Sequence, residues 1–514
     1  MKKSIKALAM YLPQFHQVKE NDEWWGSGYT EWTAVKNGEP LYNGHVQPKK
    51  PLEGKYYNLL DKETLRWQSE LAKKYGIAGF CFYHYWFGKD RKILEKPAEI
   101  LLDNKDIDMP FCFCWDSSQW ARTWSKMGNA WADAFEPKRD KNDTSNGVLI
   151  EQKYGNEAFW RRHFDYLLEF FKDNRYIKVD GKPVFMFYTS YKIPCFERMV
   201  FYWRRWAKEE GFPDLYIIGF FSPSLCLDAV VTPMAFNLSA LGYNPSLEFL
   251  IQNTSVRGYN YDEVWEDYLN YIPSSINKTL WLCTVDFDDT PRRGKNGRVY
   301  IGASPEKFKK YFSRLVSKSV ADDNPFVFID AWNEWGEGKY LEPDVVHGYG
   351  YLKSVRDVMS KTGSNEKAGT AYNENMLLRY LGKLEKQLLR ASIHQDCLTE
   401  WMYLKMEGKS IADYLCKCGF EKIAIYGCGI YGKMLYNELK DSVIDIAYFI
   451  DIHKDGLKHT EVADVYSPDE SLPLCDVIIV SIIGEYVDIF KVLKQKNNIP
   501  IISLYEVVYE AKES

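Results

Sequence analysis

From the N-terminus to about residue 360, short and almost wholly apolar runs alternate with longer stretches of helical periodicity. The runs are Ala7–Leu12, Ile77–Tyr83, Pro110–Trp115, Pro183–Tyr188, Leu215–Phe221, Asp228–Thr232, Leu280–Val285 and Pro325–Ala331. Runs that are continuously apolar, rather than alternating, are typical of parallel strands covered on both faces. The stretches Glu63–Lys74, Glu157–Phe171, Phe201–Glu210 and Ser304–Ser317 read as helices. In the second of these, Phe164, Leu167, Leu168 and Phe171 fall on one face. Eight strands alternating with helices over about 350 residues predict an α/β fold, a (β/α)8 TIM barrel with long loops. The alternative is an open doubly wound sheet.

The pattern changes beyond residue 360. Lys361–Gly369 is polar and contains glycine, as a linker does. A long helix is predicted from Asn373 through Leu389 to Met406, with Leu377, Leu378, Leu381, Leu384 and Leu388 on one stripe. That helix suits pairing with a second chain or docking within its own. From Glu421 a new α/β pattern begins: strand Lys422–Tyr426, a glycine-rich turn, a helix to Lys440, and strands Ile446–Ile450, Val477–Ile482 and Ile501–Leu504. The expected organisation is a barrel over 1–360, a linker and helical connector over 361–420, and a small Rossmann-like domain over 421–514. In that last domain Gly427, Gly429 and Gly432 form a G-x-G-x-x-G turn between strand and helix. Backbone N–H groups so placed face a phosphate, and Asp451 ends the next strand, where a ribose hydroxyl would be met. This points to a nucleotide or nucleotide sugar; otherwise the glycines serve only close strand–helix packing.

Composition narrows the function. Among 514 residues the formal net charge is −5, which is no footprint for nucleic acid or an anionic membrane. No apolar run reaches a membrane-spanning length, and Lys6 interrupts the N-terminal one. Eleven cysteines form no disulfide framework, and neither C-x-x-C nor H-E-x-x-H occurs. The expectation is a cytoplasmic protein with reduced thiols and no metal or cofactor in its barrel. The unusual number is 17 Trp, 37 Tyr and 28 Phe, and 16 of the 17 Trp lie at or before Trp335. Flat rings in clefts commonly line sugar sites, so the excess draws attention to the barrel.

Catalytic groups of such barrels sit at the C-terminal ends of the strands. The predicted ends carry Tyr11; His84 and Trp86; Trp115 and Asp116; Tyr188; Asp286 and Asp288 with Arg292 and Arg293; and Asn333-Glu334-Trp335-Gly336-Glu337-Gly338. The last is the strongest feature. Cleaving a glycosidic bond needs a carboxylic acid to protonate the leaving oxygen and a second group opposite. Burial beside Trp raises one carboxyl pKa so that it holds a proton near neutrality. The alternative is that Glu334 or Glu337 is a salt-bridge partner of Arg292 or Arg293. Asp286-Phe287-Asp288 also fits the D-x-D of metal-dependent glycosyltransferases, a weak signal that Asp106-Ile107-Asp108 shares. In a closed barrel these carboxylates are expected to bond sugar hydroxyls or to pair with Arg292 and Arg293.

The motifs Tyr11-Leu-Pro-Gln-Phe-His16, Asn21-Asp-Glu-Trp-Trp-Gly26, Thr30-Glu-Trp32, Gly79-Phe-Cys-Phe-Tyr-His-Tyr-Trp86, Asp180-Gly-Lys-Pro183 and Ala331–Gly338 with Leu341-Glu-Pro343 resemble the WbsX family over about residues 5–360. That family belongs to bacterial surface-polysaccharide gene clusters and is similar to glycoside hydrolase family 99, whose members are endo-α-mannosidases on (β/α)8 barrels. The resemblance implies that Glu334 acts as base on the sugar 2-hydroxyl, giving a 1,2-anhydro sugar. It implies that Glu337 protonates the leaving group and then activates water or an acceptor sugar. Tyr11, His84, Trp86, Trp115, Asp116, Tyr188, Asp286, Asp288, Asn333 and Trp335 are expected around an oligosaccharide or polysaccharide. The expected function is a hydrolase or transglycosylase of lipopolysaccharide or other cell-surface polysaccharide biosynthesis. A nucleotide-sugar-dependent glycosyltransferase and a non-catalytic glycan-binding protein are the alternatives.

Overall fold

The computed structural model describes residues 5–88, 91–121, 148–220, 223–234, 247–271, 273, 276–361, 392–452, 464–483 and 486–513. The chain divides into two compact units, Met1–Lys192 with Trp203–Tyr372, and Ile193–Tyr202 with Asn373–Ser514.

The first unit is a closed barrel of eight parallel strands. They are β1 (Lys6–Tyr11), β2 (Ile77–His84), β3 (Phe111–Trp115), β4 (Lys182–Phe187), β5 (Tyr216–Phe220), β6 (Ala229–Pro233), β7 (Lys278–Thr284) and β8 (Phe326–Asp330). Each pairs with its sequence neighbour, and β8 returns to β1 with Ala7 opposite Val327 and Ala9 opposite Ile329. All eight apolar runs are strands, within two residues of their predicted bounds at most ends. The helices Lys62–Lys74, Glu157–Phe171, Phe196–Glu209 and Pro305–Ala321 lie where periodicity put them. Asn156 caps the second, accepting from Phe159 N at 3.3 Å.

Alternation along the strands decides what reaches the barrel mouth. Phe113 packs edge-on against Phe170 of helix Glu157–Phe171, and Trp115 packs on Trp203. The side chains of β3 at 111, 113 and 115 therefore face the helices. The register sets Cys81 opposite Cys112 and Tyr83 opposite Cys114, so these four share the inner face. The inner cysteines are small apolar fillers, all fully buried.

The second unit holds a parallel sheet. Its strands are β9 (Lys422–Tyr426), β10 (Asp445–Ile450), β11 (Val465–Tyr466), β12 (Val477–Val480) and β13 (Ile501–Ser503), in the order β11-β10-β9-β12-β13. Residues 392–406 are helical, and Cys397, Trp401 and Leu404 enter the same core as Ile423, Ile425 and Val507. This part of the expected connector is thus built into the C-terminal unit. The leucine stripe 377–388 lies outside the described residues. No helix among the described residues is long and apolar enough to cross a membrane.

The glycine turn after β9 is close-packed. A Cβ on Gly432 would meet Gly427 O at 2.0 Å, whereas one on Gly429 would meet nothing within 4 Å. Gly432→Ala is therefore expected to destabilise the C-terminal unit by about 1–3 kcal/mol. Gly429→Ala should stay within about 0.5 kcal/mol. Calorimetric unfolding of the full chain checks both, and equal transitions for the two variants would refute the packing argument.

Candidate active site

After β8 the chain turns back on itself as a short hairpin, Asn333–Glu334 pairing antiparallel with Lys339–Tyr340. Between them lie one 3-10 turn, Trp335–Glu337, and Gly338 in the left-handed region at φ 65°. The hairpin is anchored on every side. Asn333 Nδ2 donates to Leu12 O at 2.9 Å and its Oδ1 accepts from Leu12 N at 2.8 Å, tying the hairpin to the end of β1. The Trp335 ring stacks on Tyr340 at 3.7 Å, and its indole N–H donates to Glu342 at 2.7 Å. The Glu337 carbonyl accepts from Asp288 N at 2.8 Å, which ties it to the loop after β7. Glu334 and Glu337 therefore stand on a rigid support at the C-terminal end of the barrel.

Both glutamates meet one cation. Arg292, on the short helix Thr290–Arg293, donates through Nη2 to Glu334 Oε1 at 2.5 Å and through Nη1 to Glu337 Oε1 at 2.6 Å. Its Nε donates to Glu31 Oε1 at 2.8 Å. Lys339 Nζ reaches Glu337 Oε2 at 2.9 Å and Asp330 Oδ2 at 2.6 Å. Gly336 is required beneath this network, since a Cβ there would lie 2.0 Å from Glu31 Oε1 and 2.7 Å from Arg292 Nε. Burial pushes the Glu334 carboxyl upward, against the pull of Arg292, with Glu337 and Glu31 adding to the rise. Burial acts the same way on Glu337, but Lys339 and Arg292 outweigh it and hold that carboxyl low. Burial also raises Asp330.

The remaining predicted residues separate by strand face. Tyr11 is fully buried and its hydroxyl donates to Gln68 of helix Lys62–Lys74 at 2.7 Å, so it faces the helices. His84 bonds His163 at 2.8 Å, Trp86 stacks on the same imidazole at 4.4 Å, and Trp115 meets it edge-on at 4.7 Å. These four expected sugar contacts instead fill the layer between strands and helices. Asn333 and Trp335 are buried supports of the hairpin. Asp116 and Tyr188 are half-buried and on the mouth side, and Asp116 is raised by its burial.

Asp286 and Asp288 do not pair with Arg292 or Arg293; Arg293 pairs with Asp289 at 2.8 Å. Asp286 meets Lys49 at 2.9 Å. Asp288 accepts from Gln47 at 2.6 Å and from the Thr290 hydroxyl at 2.6 Å, and bonds His45 at 2.9 Å. The two carboxylates thus face different partners, and among the described residues no group of His, Cys, Asp or Glu is arranged to hold a metal ion.

Tyr29, Glu31, Tyr83, Tyr85, Asp330 and Lys339 were not among the expected site residues, although Glu31, Tyr83 and Tyr85 stand inside the quoted motifs. Tyr83 faces Tyr188 at 6.1 Å and lies in the field of Asp330 and Glu334. Tyr29 and Tyr85 lie in the fields of Arg292 and Glu334. A period of two, started from Cys81, picks out Tyr83 and Tyr85 in place of His84 and Trp86.

In the second unit Gly427, Gly429, Gly432 and Asp451 lie together at the C-terminal ends of β9 and β10. Asp451 accepts from Cys428 N at 2.9 Å.

A closed (β/α)8 barrel with a charged cluster at the C-terminal ends of its strands is the architecture on which many enzymes carry their active sites. The chain belongs to the family described as "Glycosyltransferase WbsX", which matches residues 7–355. It is 31% identical over 369 residues to the "Uncharacterized protein WxcX" of Xanthomonas campestris pv. campestris strain B100, covering 69% of this chain and 49% of that protein. The chain thus spans about half the length of the curated relatives it matches. Among solved structures it is similar to the GH99 endo-alpha-mannosidase from Bacteroides thetaiotaomicron, with a TM-score of 0.41 and 16% identity over 70% of this chain and 97% of that one. A "Glycoside hydrolase-like protein" gives a TM-score of 0.43 and 15% identity over 70% and 94%.

Asn333→Ala is expected to cost about 2 kcal/mol or more, because the Leu12 N–H and C=O are left buried without partners. Urea unfolding of the full chain measures this; a loss under about 0.5 kcal/mol would show that the clamp is dispensable.

Proposed function

We propose that the barrel is a carbohydrate-active enzyme working at an anomeric centre, with Glu334 and Glu337 as its acid–base pair. One observation carries this reading: two glutamates on one anchored hairpin are bridged by a single guanidinium, so both carboxylates are within reach of one glycosidic bond. One carboxyl gives its proton to the leaving oxygen while the other takes a proton from the attacking hydroxyl. Tyr83, Tyr188 and Asp116 flank the mouth as sugar contacts. The substrate class is an α-linked oligosaccharide or polysaccharide of the cell surface, in a hydrolase or transglycosylase reaction resembling that of endo-α-mannosidases. Its place is biosynthetic and cytoplasmic. The exposed thiols of Cys416 and Cys418 favour a reducing compartment.

The second reading is transfer from a nucleotide sugar, which the family's description favours. The C-terminal unit bears on it. We infer that this unit is Rossmann-like and takes a nucleotide or nucleotide sugar at Gly427, Gly429, Gly432 and Asp451. Its strand order reverses between β9 and β12, where doubly wound sheets bind ligands, and the open face of Gly429 leaves room for a phosphate.

Glu334→Gln and Glu337→Gln should each lower turnover of an α-linked manno-oligosaccharide by about 10²–10⁴-fold. Reducing-end release measures hydrolysis, and undiminished turnover in both variants would refute the assignment. Turnover seen only when a nucleotide sugar is added would establish the transferase reading instead. For the C-terminal unit, NAD and nucleotide sugars are expected to raise the melting temperature of the wild type but not of Gly429→Val. A flat response in wild type would leave the glycines a packing role alone.

A further inference from the structure

Beside the two glutamates, one ion pair at the mouth of the barrel has hydrogen-bonding capacity left over. Asp330 is the last residue of β8. Tyr11 faces the helices, and so does Ala9, two residues before it on β1. Ala9 lies opposite Ile329, so Ile329 shares that side and Asp330 points into the barrel. Asp330 is only 7% exposed. Its Oδ2 accepts from Lys339 Nζ at 2.6 Å, whereas its Oδ1 is buried and has no hydrogen-bond partner. A buried carboxylate oxygen without a donor is costly, and native structures seldom keep one without a use.

Lys339 supplies the complement. Its ammonium carries three N–H donors. Among the described residues two acceptors stand against it, Asp330 Oδ2 at 2.6 Å and Glu337 Oε2 at 2.9 Å. One donor and one acceptor therefore remain, on two side chains that already touch. A hydroxyl group meets both needs at once, because it donates its hydrogen and accepts through its lone pairs. A carboxylate or phosphate has no hydrogen for Asp330. An ammonium has no lone pair for Lys339, and an acetylated oxygen has no hydrogen to give. The charge of the cluster points the same way, since four carboxyl groups, Glu31, Asp330, Glu334 and Glu337, face two cations, Arg292 and Lys339. That excess opposes any anionic substituent.

The neighbouring rings suit a sugar. Tyr83 and Tyr188 are half-buried, with centroids 6.1 Å apart and planes at 72°, and both lie in the field of Asp330. Because Lys339 also holds Glu337, a hydroxyl read by this pair belongs to a sugar lying against that glutamate.

We propose that Asp330 and Lys339 are specificity-determining residues that together read one free hydroxyl of the sugar at the mouth. They select a neutral sugar, unmodified at that position, over its deoxy, O-acetylated or acidic counterparts. This rests on the reading of the mouth as the site of an enzyme working at an anomeric centre, and it adds no step to the reaction.

Binding of deoxy sugars tests the pairing. The full-length Glu334→Gln protein, which prevents turnover, is titrated calorimetrically with an α-linked mannobiose and with its monodeoxy derivatives. One derivative should bind about 10–100-fold more weakly than the parent, the range of a hydrogen bond to a charged group. In the double variant with Asp330→Asn that penalty should fall below about threefold, while the penalties of the other derivatives stay the same. Lys339→Met, in the same background, should cancel the penalty of the same derivative. Melting temperatures within a few degrees of the parent protein establish that both variants are folded. Penalties that are equal with and without Asp330 and Lys339 would overturn this inference alone. Failure of the parent mannobiose to bind would overturn it together with the proposed substrate class. The expected cancellation beside full turnover in Glu334→Gln and Glu337→Gln would keep the hydroxyl-reading pair and defeat the enzymatic reading.

Discussion

One half-buried arginine, Arg292, holds the mouth of this barrel together. Arg292 comes from the loop after β7, Glu334 and Glu337 from the hairpin after β8, and Glu31 from the loop after β1. These three loops meet because β7, β8 and β1 are neighbours in the closed sheet. Removing such a cation would leave several buried carboxylates uncompensated, a far larger loss than the net worth of any one pair. The surrounding backbone is shaped to admit it. Gly336 offers no Cβ to the Glu31–Arg292 contact, and Asn333 fixes the hairpin to β1 with a pair of amide hydrogen bonds.

The fold was legible in the chain because its signal is strong and local. Each barrel strand is an apolar run between polar stretches, and the helix Glu157–Phe171 follows its pattern to the residue. The site was legible only in part. The glutamates stand out by their motif, and of the two readings their spacing allowed, catalysis or pairing with an arginine, the structure shows the pairing with Arg292. The contacts around them were misplaced by one residue. A parallel strand buried on both faces gives no hydrophobic alternation, so nothing in β2 tells His84 from Tyr83. Only the neighbouring strand and helix do that, through Cys114 on one side and His163 on the other. Glu31 stands in the Thr30-Glu-Trp32 motif, but its role was hidden because its partner Arg292 lies 261 residues away.

The aromatic excess has a different meaning from the one that composition suggested. Trp115, Trp160, Trp203, Trp265, Trp281, Trp332 and Trp335 are all almost wholly buried. Most of the indoles named here pack strands on helices or support the hairpin. The rings that face the charged cluster are tyrosines, which add a hydroxyl to a flat apolar surface. Among the described residues the barrel's rings are thus mainly structural, and the cluster at its mouth is distinguished by its carboxylates and cations.

The proposed role of Glu334 and Glu337 requires one sugar residue to lie against both at the C-terminal mouth of the barrel. A crystal structure of the full-length Glu337→Gln protein soaked with an α-linked manno-oligosaccharide tests it most directly. A glycosidic linkage within hydrogen-bonding distance of position 334 or 337, with a sugar ring beside Tyr83 and Tyr188, is the expected result. An oligosaccharide bound elsewhere on the barrel, touching neither position 334 nor position 337, would contradict it.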